Sequence, residues 1–465
     1  MNKLLRYRHR VLIQRSILPF AWPIFVELTC VVMMGIISTI LVSHLGSAET
    51  AAVGICDNIT FIIISLLTAI ALGGSVYIAQ SLGKRRIAEA KDYATQAMLL
   101  SVVISLIFSG LLLLFSRPIL TAIAYGAEKS VIDNAELYLS LITLSYPLLA
   151  ICLAAGGILR ALGNSRHPAW CNILMNILNI LFSYPLIYGI PGSDWQGFGI
   201  IGSGIGIIAA RGIGSILMLM SLSRGILPIV WKDFLQPFKL LILKDILALG
   251  IPASVESLMF NIGKLITQAM VAGMGTVAMA GNVITFSAVL FINIPGNALA
   301  MASTVLVGKR LGQGRHKLAL LELKLILLLS SLLLSVMGLI SMPSAALIAR
   351  AYTQDPDVQH VVVNLLYLNA IMMPIWAASF VLPAAFKGAK DVKYSMWTAI
   401  SSMWGCRIVF GYLLGIYFGL GVYGVWIGMF SDWWVRGGLY LYRLFNQRWL
   451  RMPAPATNNK LTPST

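Results

Sequence analysis

About twelve stretches of this chain are each long and apolar enough to cross a lipid bilayer, which takes roughly 20 apolar residues per helix. They fall at approximately 16–44, 50–82, 90–115, 133–159, 167–190, 197–223, 245–273, 277–308, 318–342, 358–386, 394–418 and 421–446. The expected fold is therefore an all-α polytopic membrane protein of about twelve helices. Several runs exceed the minimum, so tilted or broken helices are expected among them. Residues are 58% hydrophobic and only 11% charged, which excludes a soluble globular class.

The first of these runs is written twice. WPIFVELTCVVMMGIISTILVSHLG (22–46) aligns without gaps with IPASVESLMFNIGKLITQAMVAGMG (251–275), pairing Pro23 with Pro252, Glu27 with Glu256 and Gly46 with Gly275. The same spacing pairs SVYIAQSLGKRR (75–86) with TVLVGKRLGQGR (304–315), including Leu82 with Leu311, Gly83 with Gly312 and Arg86 with Arg315. A slightly shorter spacing pairs Pro147 with Pro374, Arg160 with Lys387 and Trp170 with Trp397, and GIIGSGIG (199–206) corresponds to GVYGVWIG (421–428). Four blocks in one order describe a duplicated six-span unit. An even span count per copy gives both copies the same orientation, related by a pseudo-twofold along the membrane normal. The expected organisation is a basic N-terminal arm at 1–15, an N-lobe at 16–223, an interfacial linker at 224–244, a C-lobe at 245–446 and a disordered tail at 447–465.

A net charge of +17 raises the question of nucleic acid, but the distribution of the cations answers it. With the N-terminus taken as cytoplasmic, 27 of the 34 Lys and Arg fall in the arm, the even-numbered loops and the tail. That is the positive-inside bias, and it predicts a multi-pass protein of a bacterial inner membrane with both termini cytoplasmic. The first run is too long for a signal peptide and lacks a small-residue cleavage site. Five cysteines scattered through apolar runs show no metal-ligand or redox spacing. Neither a Walker loop nor a nucleophile constellation is present, so an enzyme and ATP-driven transport by this chain alone are not expected.

Chemistry is then sought among the ionisable residues inside the spans: Glu27, Asp57, Arg211, Glu256, Lys264, Arg407, Asp432 and Arg436. Each costs about 2.5–3.5 kcal/mol at a helix centre and should face a cavity or a partner. Glu27 and Glu256, one per lobe, suit either ion coupling or substrate contact; their alternative is an interhelical hydrogen bond. Asp57 joins them as an ion-coupling candidate. Asp57 and Lys264 break the repeat, having no charged counterpart in the other copy. They suit an ion pair between the lobes, switching or permanent, or Lys264 meets an anionic group of the substrate. Asn58, Asn261 and Gln268 join Lys264 as candidate substrate-binding residues. Arg407 and Asp432 are expected to form a structural ion pair, with Arg211 and Arg436 snorkelling or paired.

Taken together, P-x-x-x-E in spans one and seven, LGKRR after span two, LRALGN and FKGAKD after spans four and ten, and the central basic linker resemble the multidrug and toxic compound extrusion (MATE) transporters. The likeness runs from about residue 16 to 446 and is closest to a bacterial subgroup associated with flavin nucleotides. The resemblance implies two six-helix lobes around a central cavity and export by alternating access, coupled to inward H⁺ or Na⁺. Ser38, Phe260 and Trp376 stand where many members carry acidic residues, which leaves Glu27 and Glu256 as the available coupling groups. The implied function is a secondary antiporter extruding amphipathic organic solutes, such as drugs, toxic compounds or flavin-like metabolites. It would work as a monomer among membrane lipids, with no cofactor beyond the coupling ion. The alternative is a lipid-linked precursor flippase of related scaffold, which predicts a basic cavity.

Overall fold

A computed structural model describes residues 9–123, 128–189, 197–225, 227–229 and 231–450. The first eight residues of the expected N-terminal arm and residues 451–465 of the expected tail lie outside these. The N-lobe holds α1 (Leu18–Ser43), α2 (Ser47–Gly83), α3 (Ile87–Leu114), α4, α5 (Arg166–Tyr188) and α6 (Ile200–Ser223). Helix α4 has two arms, Lys129–Leu144 and Tyr146–Ala161, that meet at 45°. Pro147 opens the second arm, where its missing N–H removes a hydrogen bond back to the first. The C-lobe holds α7 (Leu240–Ala272), α8 (Thr276–Gly312), α9 (His316–Tyr352), α10 (Pro356–Gly388), α11 (Val392–Tyr417) and α12 (Gly421–Phe445).

Among the described residues the chain is all helix and turn, and ten helices are long and apolar enough to cross a bilayer, or eleven with the bent α4 as one span. The remaining one of the expected twelve is α12. At 25 residues it is long enough, but it carries Asp432 and Arg436 among glycines and tryptophans.

Helix boundaries run past those read from hydropathy. The α1 rod begins at His9 and passes through a π-helical turn at Ile13–Ile17, so half of the expected arm is helix. Beyond α12, Arg448–Leu450 forms a 3₁₀ turn whose Trp449 is buried against Phe386, at 5.7 Å between ring centres. The linker also has structure, a 3₁₀ turn at Trp231–Leu235. It is tied to the start of α3 by Lys91–Asp233 (2.8 Å), Lys239–Asp92 (2.6 Å) and Gln96 donating to Pro237 O (3.1 Å).

The two lobes meet along the halves of their helices nearest the basic loops. The tightest crossing is α2 with α8: a Cβ on Gly83 would sit 2.5 Å from Lys309 O, and one on Gly312 would strike Gln80 O. Gly83 matches Gly312 and Gln80 matches Lys309 at the spacing that relates the repeats, so each contact is the other's symmetry mate. The pseudo-twofold thus passes through this crossing. Around it, Gln80 Nε2 donates to Gly388 O (2.9 Å), Tyr93 Oη to Asp245 Oδ2 (2.6 Å) and Ser16 Oγ to buried Glu322 Oε1 (2.7 Å). Away from the basic loops, Asp57, Asn58 and Phe61 on α2, Lys264, Leu265 and Gln268 on α7 and Val283 and Leu290 on α8 are exposed. The molecule is sealed on the basic face and open on the other.

Candidate functional site

Each repeated glutamate sits in an ion pair inside its own lobe, with Glu27 buried and Glu256 partly buried. Arg160 Nη2, in the last turn of α4, donates to Glu27 Oε1 at 2.6 Å, and Asn172 Nδ2 of α5 donates to the same oxygen at 2.5 Å. Lys387 Nζ, in the last turn of α10, donates to Glu256 Oε1 at 2.8 Å, and Ser395 Oγ of α11 to Oε2 at 3.2 Å. Arg160 and Lys387 are repeat mates, so duplication preserved the pair as well as the carboxylate. Hydropathy assigns both cations to loops, which is why the glutamates read as lone groups. Because each cation ends a helix at the basic face, the carboxylates lie towards that face. Among the described residues, neither glutamate bridges the lobes.

A second constellation occupies the C-lobe. A cavity of about 270 Å³ lies between α7, α8, α11 and α12, and Lys264, Gln268, Asn282, Phe286, Arg407 and Trp426 are among its walls. Two expected substrate residues, Lys264 and Gln268, are brought together here. Asn261 is half-buried one turn away and does not line it. Asn58 lies on the other lobe, where its Nδ2 donates back to Gly54 O (2.9 Å).

Arg407 is not paired with Asp432. Asp432 pairs with Arg436 one turn along α12 at 3.5 Å, and Arg436 lies 4.4 Å over the Phe380 ring. Arg407 sits in the π-helical turn Met403–Ile408 of α11; such turns shift a side chain off the α-helical register. This turns its guanidinium to the cavity. Asp57 and Lys264 form no ion pair among the described residues, both being exposed on different lobes. Asp57 feels Arg211 of its own lobe, and Arg211 Nη1 in turn donates to Ser145 Oγ at 2.6 Å.

The basic-face seal carries a titratable group of its own. Lys390, in the turn after α10, adopts φ +66° and holds Nζ 3.6 Å over the ring of Tyr77, which stacks on Tyr93. Burial, reinforced by Lys84, lowers Lys390 to about 8, with Asp245 and Glu89 opposing the shift. A lysine freed by parting lobes would return towards its ordinary 10.5. Between these values the sealed form binds fewer protons than the open one, so raising pH through that window favours the seal, by at most about tenfold per unit. Spin labels at exposed positions 86 and 315 in a cysteine-free background should report a closer pair at pH 9.5 than at 7.5. Lys390→Met should flatten that response.

Comparison with known proteins agrees with the duplication. The sequence model of the MatE family matches this chain twice, at residues 23–185 and 252–413, once in each lobe. The uncharacterized transporter YisQ of Bacillus subtilis is 29% identical over 440 residues, covering 94% of this chain and 95% of the relative. A probable multidrug resistance protein NorM of Thermotoga maritima is 24% identical over 448 residues, covering 94% and 93%. Among solved structures, a MOP superfamily transporter from Pyrococcus furiosus superposes with a TM-score of 0.86 at 21% identity, covering 93% of this chain and 96% of that one. An outward-facing multidrug resistance MATE transporter superposes with a TM-score of 0.84, also at 21% identity, over 93% and 96%. Twofold helical lobes, a full-length match and a family model seated on each repeat lead to one conclusion: this chain is a multi-pass membrane transporter, not an enzyme, and it belongs to the MatE family.

Proposed function

We propose that this transporter is a secondary antiporter that extrudes amphipathic organic solutes by alternating access, driven by protons entering the cell, with Glu27, Glu256 and Asp57 as the coupling carboxylates. The observation that carries this reading is the duplicated, largely enclosed ion pair, Glu27–Arg160 and Glu256–Lys387. A carboxylate that takes a proton gives up its pair, so protonation and rearrangement of α1 against α4, or α7 against α10, become one event. A proton moves the equilibrium between two states only by binding them unequally, and a pair made in one state and broken in the other supplies that inequality. The donors around both glutamates are mainly nitrogen, whereas Na⁺ wants several oxygens; this favours H⁺. With the basic loops cytoplasmic, the seal described above makes the molecule outward-facing.

Inverted membrane vesicles with an imposed pH or Na⁺ gradient test the reading. Glu27→Gln and Glu256→Gln should each reduce gradient-driven transport at least about tenfold, since every cycle needs the proton-dependent switch. Normal transport by both variants, with unchanged ion dependence, removes the coupling role. The flippase alternative is favoured by the cations at the C-lobe cavity. It predicts movement of a lipid-linked anion between leaflets with no extrusion of a soluble solute.

A further inference from the structure

The C-lobe cavity is charged in one sense only. Of the residues that line it, Lys264 and Arg407 are the charged ones, close enough to repel each other. Arg407 is 3% exposed; among the described residues its Nη1 reaches only Met403 Sδ, at 3.8 Å, and its Nε has no partner. The nearby carboxylate of Asp432 lies 3.5 Å from Arg436 and its charge also reaches Arg407, but among the described residues it hydrogen-bonds neither, so Arg407 has a counter-charge at a distance and no anion on its donors. A buried guanidinium with unspent donors carries a large desolvation cost unless an anion meets it.

The other walls describe what that anion is attached to. Phe286 and Trp426 lie 5.0 Å apart at 41°, flanked by Val271, Leu290 and Met429. Trp426 Nε1 is committed to Asn282 Oδ1 at 2.9 Å, so tryptophan offers the cavity its ring and not its N–H. An apolar cavity of about 150 Å³ accommodates a benzene ring; the 270 Å³ here admits a body of about two fused rings. The repeat mate of Lys264 is Gly35, where an added Cβ would meet nothing within 4 Å. The cation therefore belongs to one lobe, as a selectivity group does, while the N-lobe presents Asp57.

We propose that this cavity binds aromatic organic anions, the carboxylate, sulfonate or phosphate held between Arg407 and Lys264 and the rings against Phe286 and Trp426, and that such anions are the extruded solutes. This rests on the exporter reading above. Planar guanidinium donors match the two oxygens of such a group, and Lys264 at the exposed rim adds a point charge. A cationic solute of the same shape would bring a third positive charge beside these two.

The experiment uses the full-length protein in nanodiscs and a matched pair of probes, 1-naphthalenesulfonate and 1-naphthylmethylammonium, with inorganic sulfate as third ligand. Titration calorimetry should show the sulfonate binding at least tenfold tighter than the ammonium and tenfold tighter than sulfate. Lys264→Glu, at an exposed position on the rim, should weaken the sulfonate at least tenfold with the thermal midpoint unchanged. Equal or tighter binding of the ammonium, or no effect of Lys264→Glu, overturns the assignment. Equal binding of sulfate reduces the site to a small-anion site and overturns it too. Competition by phosphatidylglycerol but not phosphatidylcholine nanodiscs would make the anion a lipid headgroup, again against the proposal. Proteoliposomes separate this from failure of the exporter reading. Gradient-driven extrusion of the ammonium but not the sulfonate leaves the exporter standing and removes the anion. Binding of the sulfonate with no gradient-driven movement of either probe removes the exporter.

Discussion

Gly83→Ala and Gly312→Ala will each cripple transport while leaving both lobes folded. The added Cβ at Gly83 lies 2.5 Å from Lys309 O and 2.9 Å from Gln313 N, and the one at Gly312 strikes Gln80 O; all are backbone atoms. Backbone cannot rotate away as a side-chain tip can, so the lobes must separate at the crossing. Overpacking of this kind costs about 1–3 kcal/mol. At about 1.4 kcal/mol per factor of ten, the ratio of sealed to unsealed molecules falls roughly five- to a hundredfold. In the proposed alternating-access cycle the crossing is rebuilt each turn, so turnover should fall with it. Spin-label distances across positions 86 and 315 should lengthen in both variants. Thermal stability in detergent should change little, because each lobe's own packing is untouched. Gly110→Ala, where a Cβ would meet nothing within 4 Å, is the control and should transport normally. Parental transport with an unchanged distance in Gly83→Ala would show that the crossing does not gate the cycle.

The sequence carried a signal for that contact, although the paired glycines were read there only as a mark of duplication. Leu82-Gly83 and Leu311-Gly312 recur at one spacing, and a duplicated glycine near the end of an apolar run marks close helix approach. The approximate span number follows from hydropathy, the six-plus-six arrangement from the repeated blocks and the basic face from charge. Helix limits do not, because hydropathy reports what lipid tolerates and not where hydrogen bonding stops. His9 and Arg10 are helical though no membrane would hold them, and α12 spans a bilayer's length despite Asp432 and Arg436.

The ion pairs failed for a related reason. Arg160 and Lys387 look like loop charges in any hydropathy reading, yet they end helices and reach back one side-chain length to Glu27 and Glu256. Their mutual alignment was the available signal, since a pair duplicated with its carboxylate is under a shared constraint. For Asp432, the i,i+4 spacing to Arg436 pointed to the observed partner, where a pair with Arg407 was expected. No pattern of residue types announces the π-helical turn that swings Arg407 to the cavity. Its role there is visible only in three dimensions.

Arg160→Met should be among the most damaging single substitutions in the N-lobe. Among the described residues it leaves Glu27, 5% exposed, with Asn172 as its remaining donor and with Oε2 already lacking a partner. Breaking a buried pair by removing one member costs about 3–5 kcal/mol, because the surviving charge stays desolvated. The same principle predicts the rescue: Glu27→Gln with Arg160→Met removes both charges and should recover most of the lost stability. Lys387→Met should be milder. Its side chain and that of Glu256 are 17% and 13% exposed, against 14% and 6% for Arg160 and Glu27, so water reaches the orphaned carboxylate more readily. Ser395 also still donates to Glu256. Folded fraction after heating in detergent, read by size-exclusion chromatography, should therefore rank the parent first, then the double variant, then Lys387→Met, then Arg160→Met. Transport separates structure from coupling in the same set: the double variant should be folded yet unable to respond to a pH gradient through the N-lobe. A double variant that is folded and fully gradient-driven would leave the Glu27 pair a structural clasp, and coupling would then rest on Glu256 and Asp57.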